Sequence, residues 1–452
     1  MLEAANSDTA VAAGEKQTRR PFSHNVAVTL VTRVLMLASA LGTSIIVARW
    51  LGTTGVGVLA VLSVTVALAV QLGCAGLPSA NTYFISRDKS RLATIWSNAL
   101  LFAMLGGSAI ALLVILIARL KPSTFGHVPI ELVLLAAASI PFQLITLLGL
   151  NVLLGIERVA QFNLLDALAQ VLLLVNALVA FGLAADIFVL VLFNTATSVL
   201  VSSIVVTVIF REIRKQSRTL LQLDPQLFKE LIAYGLKFYI SVVAGIIILR
   251  IDLLLVNKFR GASEAGVYAV ASQMSSLLIL LPSIIATLLF PRVSAVQDRE
   301  ANLTMQATRH TAFVMFLICL AGVPLSFTLP LIYGPSFQGS TVQLLILLPG
   351  VFLLGIEAVM VQYFNAQGLP FTIPIFWIIC VVANIGLNLL VIPHFGAKGA
   401  AVVSSITYGL IFALVASYFR SRTGNRLSTA LLLRQGELRE LLNGRLRSVF
   451  LR

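Results

Sequence analysis

"RWLGTTGVGVLAV" (residues 49–61) is written a second time, in altered form, as "KFRGASEAGVYAV" (residues 258–270). The second copy begins 209 residues after the first and keeps Gly52 as Gly261, Gly57 as Gly266, Val58 as Val267, Ala60 as Ala269 and Val61 as Val270. A basic residue (Arg49, Lys258) and an aromatic (Trp50, Phe259) open both copies. What the repetition means depends on the chain around it.

That chain is apolar throughout. Of its 452 residues, 58% are hydrophobic and 11% are charged, against about 25% charged in a soluble domain. Uncharged runs near the 20 residues that a helix needs to cross a bilayer recur along its length. They show no alternation of polar and apolar residues, which excludes a transmembrane β-barrel. The class is an all-α polytopic membrane protein. We place twelve spans, at 26–48, 56–85, 92–118, 130–154, 162–182, 187–210, 231–257, 265–290, 311–333, 340–364, 372–393 and 398–419. A polar amino tail (1–25), a connecting loop (211–230) and a basic carboxyl tail (420–452) lie outside them.

Charge orients the spans. Of 32 Lys and Arg, 23 fall on the side that holds both termini and 6 on the other. Cytoplasmic loops collect positive charge, so both termini are expected in the cytoplasm. The same rule accounts for the net charge of +14 without nucleic acid. The amino tail lacks the short apolar core and small-residue cleavage site of a signal peptide.

The repeated phrase links spans 1 and 2, then spans 7 and 8. Six spans is an even number, so the two halves share one orientation: a parallel repeat of two six-helix lobes, 26–210 and 231–419. A second echo, "NVLLGIER" (151–158) and "NAQGLP" (365–370), leads into the fifth span of each lobe. Gly52, Gly57, Gly261 and Gly266 are read as structural turn residues, since glycine takes positive φ at little cost. Two lobes without a soluble domain point to a transporter. No phosphate-binding loop, zinc signature or Cys/His cluster is present, so no cofactor, metal or catalytic residue is assigned.

The chain resembles the polysaccharide (O-antigen type) flippases of the multidrug/oligosaccharidyl-lipid/polysaccharide exporter superfamily. The resemblance is carried by "ARWLGTTGVGVLAV" (48–61), "RIDLLLVNKFRGASEAGVYAVASQM" (250–274), "LLFPRVSA" (288–295) and "NLLVIPHFGAKGAAVVSSITYG" (388–409). It implies a V-shaped pair of six-helix bundles working by alternating access in the plasma (inner) membrane. The implied cargo is an oligosaccharide on a lipid such as undecaprenyl diphosphate, carried to the outer leaflet during cell-surface polysaccharide biosynthesis. A monomer is expected. The rival readings are a Na⁺- or H⁺-coupled multidrug antiporter of the same superfamily, a major facilitator and a glycan polymerase or ligase. "ISRDKSRLATIW" (85–96) lacks the facilitators' usual signature, and no outer loop is long enough for a polymerase's catalytic residues.

Charges inside spans are costly, by about 2.5–3.5 kcal/mol at mid-bilayer, and mark wet cavities or bundle interiors. Arg33 and Arg250 are read as cavity cations for a substrate phosphate, whose oxygens a guanidinium matches bidentately; for Arg33 the competing reading is snorkelling to the headgroups. Lys237, nearer its span's end, is a weaker candidate for the same site and fits snorkelling better. Asp252 lies two residues from Arg250, too far round the helix for a direct pair. It is either part of the substrate site or an acceptor for a neighbouring helix. Glu357 is either a coupling-ion ligand or a hydrogen-bonded carboxyl inside the second lobe. Asp166 is read as interfacial. Pro78, Pro141, Pro282, Pro324, Pro349 and Pro374 mark kinks. In the carboxyl tail, Leu427, Leu431, Leu438, Leu442, Leu446 and Phe450 recur at helical spacing among arginines. That pattern fits an amphipathic helix on the membrane surface, or a docking site for cytoplasmic assembly enzymes such as glycosyltransferases or a polymerase.

Overall fold

The computed structural model describes residues 22–126, 128–216, 221–296, 298, 301–368 and 370–432. The amino tail up to 21 and the carboxyl tail from 433, with Leu438, Leu442, Leu446 and Phe450, lie outside the described residues.

The described chain is helical almost throughout. The first lobe holds α1 (Phe22–Gly73), α2 (Leu77–Arg87), α3 (Leu92–Leu120), α4 (Ile130–Ala138), α5 (Ile140–Gly155), α6 (Val159–Gly182) and α7 (Ile187–Gln216). The second holds α8 (Pro225–Arg260), α9 (Ala262–Leu278), α10 (Leu280–Val296), α11 (Asn302–Tyr333), α12 (Gln338–Met360), α13 (Gln362–Ala366) and α14 (Thr372–Thr423); a short α15 (Leu427–Leu431) follows.

Among the described residues, ten stretches are long and apolar enough to cross a membrane. Two of these, Val28–Gly73 and Thr372–Thr423, run to 46 and 52 residues. Unbroken, either would be about 70 Å long or more, over twice the thickness of a hydrocarbon core. Both are broken at a glycine whose backbone is not helical: Gly52 (φ 64°, ψ −165°) and Gly396 (φ 57°, ψ −143°). The twelve-pass reading counts each of the two as a pair of crossings. Gly261, which separates α8 from α9, has φ 88° and ψ 171°, close to the backbone of Gly52. A Cβ at Gly52 or Gly261 would touch nothing within 4 Å. What these positions demand is therefore the left-handed φ itself, which L side chains resist.

Packing repeats with the sequence. In the first lobe α1 packs on α6, α3 on α5 and α5 on α7. In the second, α8 packs on α14, α11 on α12 and α12 on α14. The turns before the fifth helix of each lobe both contain a residue at positive φ, Glu157 and Gly368.

Three spans that read as continuous in the sequence are interrupted. The second breaks at Cys74–Gly76, where Ala75 and Gly76 take φ of 49° and 74°. The fourth breaks at Ser139 and the eighth at Ile279. Proline follows each break within a few residues (Pro78, Pro141, Pro282) and removes a backbone donor from the helix that starts there. Pro324 and Pro349 stay inside α11 and α12. Just beyond α2, Asp88 caps the turn at Lys89–Arg91. The Ser90 hydroxyl and amide donate to its carboxylate and hold it below the ordinary carboxylate range.

Candidate functional site between the lobes

The two copies of the repeated phrase meet each other. A Cβ at Gly57 would lie 1.7 Å from the Ala262 carbonyl oxygen and 2.9 Å from the Gly266 nitrogen. A Cβ at Gly266 would lie 1.9 Å from the Thr53 carbonyl oxygen and 2.8 Å from the Gly57 nitrogen. Only glycine lets these backbones approach so closely, as at small-residue crossings in membranes. Thr53 and Ser263 add a hydroxyl contact of 2.7 Å across the same crossing. This far end, opposite the described ends of the chain at Phe22 and Leu432, is tied further. Asn257 donates to the Phe125 carbonyl at 2.8 Å, and Arg49 donates to the carbonyls of Leu331 and Ile332.

The terminal end is closed as well. Gly76 and Gly235 pack backbone to backbone, and the Tyr239 hydroxyl donates to the Gln71 and Leu72 carbonyls. Asn98 exchanges hydrogen bonds with the Asp224 backbone.

These ties fix which helix faces look across the lobe boundary. On α8, Tyr239 and Asn257 both bond to the first lobe. They are 18 residues apart, five full turns, so they share one stripe. Arg250 lies on that stripe, within about 20° of both. It is exposed and forms no ion pair among the described residues. Asp252 points about 200° away, into its own lobe. On α1, Ser44 donates to Gln273 of the second lobe at 2.7 Å. Arg33, eleven residues earlier, lies within about 20° of the same direction.

Arg33 precedes its turn glycine, Gly52, by 19 residues. Arg250 precedes Gly261 by 11. At 1.5 Å per residue, the two cations differ in depth by about 12 Å, with Arg33 nearer the terminal end. Arg33 is not solitary: Asp166 on α6 sits 3.6 Å away, with the arginine side chain 46% exposed. A pair this open contributes at most about 1 kcal/mol, little enough for a doubly charged group to displace.

The remaining candidates sit elsewhere. Asp252 is 1% exposed and accepts hydrogen bonds from the Ser404 hydroxyl at 2.8 Å, the Leu253 amide at 2.7 Å and the Tyr268 hydroxyl. It joins α8, α9 and α14 inside the second lobe. A buried chain continues nearby: Asn388 donates to Asn384, and Asn384 to Thr407. Glu357 on α12 is 2% exposed, lies near Cys380, and makes no hydrogen bond or ion pair among the described residues. The side chain of Lys237 lies outside the described residues. The site residues named from sequence therefore divide: Arg33 and Arg250 lie on the helix stripes that carry bonds to the opposite lobe, while Asp252 and Glu357 lie within the second lobe. Sequence reasoning did not pair Asp166 with Arg33, 133 positions apart, and did not single out Tyr268 or Ser404.

Two lobes in parallel repeat, tied to each other at both ends, define a polytopic protein of the transporter type. The chain belongs to the family described as polysaccharide biosynthesis protein, whose pattern matches residues 46–334. It is 31% identical to the probable flippase AglR of Haloferax volcanii over 174 residues, 36% of this chain and 37% of that one. The chain matches about two fifths of the length of its curated relatives. Its fold is that of the lipid II flippase MurJ in an inward closed conformation (TM-score 0.73, 16% identity, 94% of this chain and 97% of that one). An inward-facing multidrug resistance MATE family transporter is nearly as similar (TM-score 0.71, 16% identity, 88% and 98%). The fold alone therefore does not choose between a lipid-linked glycan and a drug.

Proposed function

We propose that the chain is a flippase for a lipid-linked oligosaccharide. It would move a polyprenyl diphosphate, undecaprenyl diphosphate being the expected carrier, from the cytoplasmic to the outer leaflet by alternating access. The observation that carries this reading is the placement of Arg33 and Arg250 on lobe-facing stripes at two depths. A diphosphate bound at Arg33 first displaces Asp166, then passes to Arg250, which forms no ion pair among the described residues. A guanidinium fits phosphate oxygens bidentately. A cationic drug gains nothing from either station. The partial match to the flippase AglR points the same way. The twelve-pass topology, cytoplasmic termini, monomeric state and service to glycosyltransferases or a polymerase belong to this reading. Lys237 is retained as a secondary member of the substrate path, Asp252 is assigned to the other sequence reading, an acceptor for neighbouring helices, and a surface helix is proposed for the carboxyl tail.

One observation supports a second reading. Glu357 is buried and its Oε1 has no hydrogen-bond partner among the described residues, as a carboxylate waiting for a counter-moving cation would be. Export assays separate the two. R250A should abolish glycolipid export at normal protein level, and R250K should restore it in part because the fork is lost. Normal export by R250A would remove Arg250 from the path. No glycolipid export by the intact protein, together with Na⁺- or H⁺-dependent drug efflux that is lost in E357Q, would establish the antiporter instead.

A further inference from the structure

Tyr83 on α2 and Tyr234 on α8 belong to different lobes, yet their rings stack, with centroids 4.4 Å apart and planes 13° from parallel. Phe84 meets the Tyr234 ring edge-on at 5.7 Å. Arg87, one turn beyond Tyr83, holds its guanidinium 4.6 Å from the centre of the Tyr83 ring. Both tyrosines are half-buried, and the cluster adjoins the Gly76–Gly235 contact at the terminal end. The far-end closure is made differently, from glycine backbone, hydroxyls and amides.

Flipping requires the terminal end to open, since the glycan headgroup enters there. Opening parts Tyr83 from Tyr234, and each ring then presents a bare face to the mouth. We propose that these two faces, with Arg87 beside them, form a sugar platform that holds the pyranose next to the diphosphate of the entering glycolipid. The proposal rests on the flippase reading above. One face of a pyranose is a patch of C–H groups about the size of a tyrosine ring, and its partly positive hydrogens suit the negative face of an aromatic quadrupole. Arg87 already occupies that quadrupole as a cation, and after opening it is placed to meet an acidic sugar or the adjoining phosphate. The two uses of each ring exclude one another. A tyrosine engaged with sugar cannot stack on its counterpart, so the terminal end re-forms its stack only after the headgroup has moved past.

The test uses the purified full chain in detergent and two probes: a polyprenyl diphosphate bearing one oligosaccharide repeat, and the same lipid diphosphate without sugar. The intact protein should prefer the glycosylated lipid. Y83L and Y234L keep apolar bulk at the contact and remove the aromatic face. Each should cut that preference by roughly tenfold, as loss of one aromatic contact of about 1.4 kcal/mol implies, with affinity for the bare lipid unchanged. Y83F and Y234F should keep the preference. On the unsubstituted chain, the glycosylated lipid and not the bare one should protect Tyr83 and Tyr234 from nitration by tetranitromethane. A preference that survives in Y83L and Y234L, or equal protection by both lipids, overturns the platform and leaves the flippase reading standing. Binding of neither lipid by the intact protein overturns both.

Discussion

Gly57→Ala is the sharpest single perturbation the far-end crossing offers. The new methyl would stand 1.7 Å from the Ala262 carbonyl oxygen and 2.6 Å from its carbon, both backbone atoms that no rotamer change can move. Ordinary contact begins near 3.4 Å, so α1 and α9 must separate locally by nearly as much again as the present gap. The 2.7 Å contact between Thr53 and Ser263 does not survive such a shift. Overpacking of this kind costs about 1–3 kcal/mol, and here it falls only on states in which the far end is closed. The equilibrium should then shift toward far-end opening by about 5- to 150-fold. The assay is the rate at which S44C, in a background lacking Cys74, Cys319 and Cys380, reacts with a membrane-impermeant thiol reagent applied from the far side. G57A should raise that rate at least fivefold, within the range just given. G386A is the control, because a Cβ at Gly386 would meet nothing within 4 Å. An unchanged rate in G57A, with normal membrane insertion, would refute the claim that this crossing holds the far end shut.

Asp252→Ala should lower the detergent thermal midpoint well beyond Tyr268→Phe. It strands two buried hydroxyls at once, each worth about 1–3 kcal/mol, whereas Asp252→Asn keeps an acceptor and should fall between; equal midpoints in all three would show that the cluster is not a brace. For topology, S263C in intact cells should react with an impermeant reagent and S90C should resist it, both positions being exposed. Labelling of S90C alone would invert the map.

Much of this architecture was legible because hydropathy and glycine placement are local signals. The apolar runs mark the helices, and the repeated phrase marks equivalent turns. The interruptions at Cys74–Gly76, Ser139 and Ile279 were legible only as kinks at Pro78, Pro141 and Pro282; that the helix ends there, and does not merely bend as at Pro324 and Pro349, was hidden, since no charge enters. The site was legible as residue types more than as partnerships. Arg33 stood out as a cation in an apolar run, but its carboxylate lies five helices along the chain at Asp166. Asp252 gave no sign of Tyr268 and Ser404, because hydrogen bonds between helices leave no spacing pattern. Even the direction of Arg250 needed Tyr239 and Asn257, whose bonds to the other lobe calibrate the whole stripe.

The Gly57–Gly266 crossing also bears on how the two lobes came to fit. Thr53 and Ala262 are equivalent positions of the repeat, as are Gly57 and Gly266. Each glycine meets the counterpart of what the other meets. That reciprocity is the signature of an isologous interface, the kind that joins two identical subunits about a twofold axis. A single lobe therefore already carries a surface complementary to a second copy of itself, and the present chain reads as a tethered dimer whose halves have since specialised. Each copy of the phrase serves as the mould for the other, and neither can gain a side chain at its glycine without the other giving way.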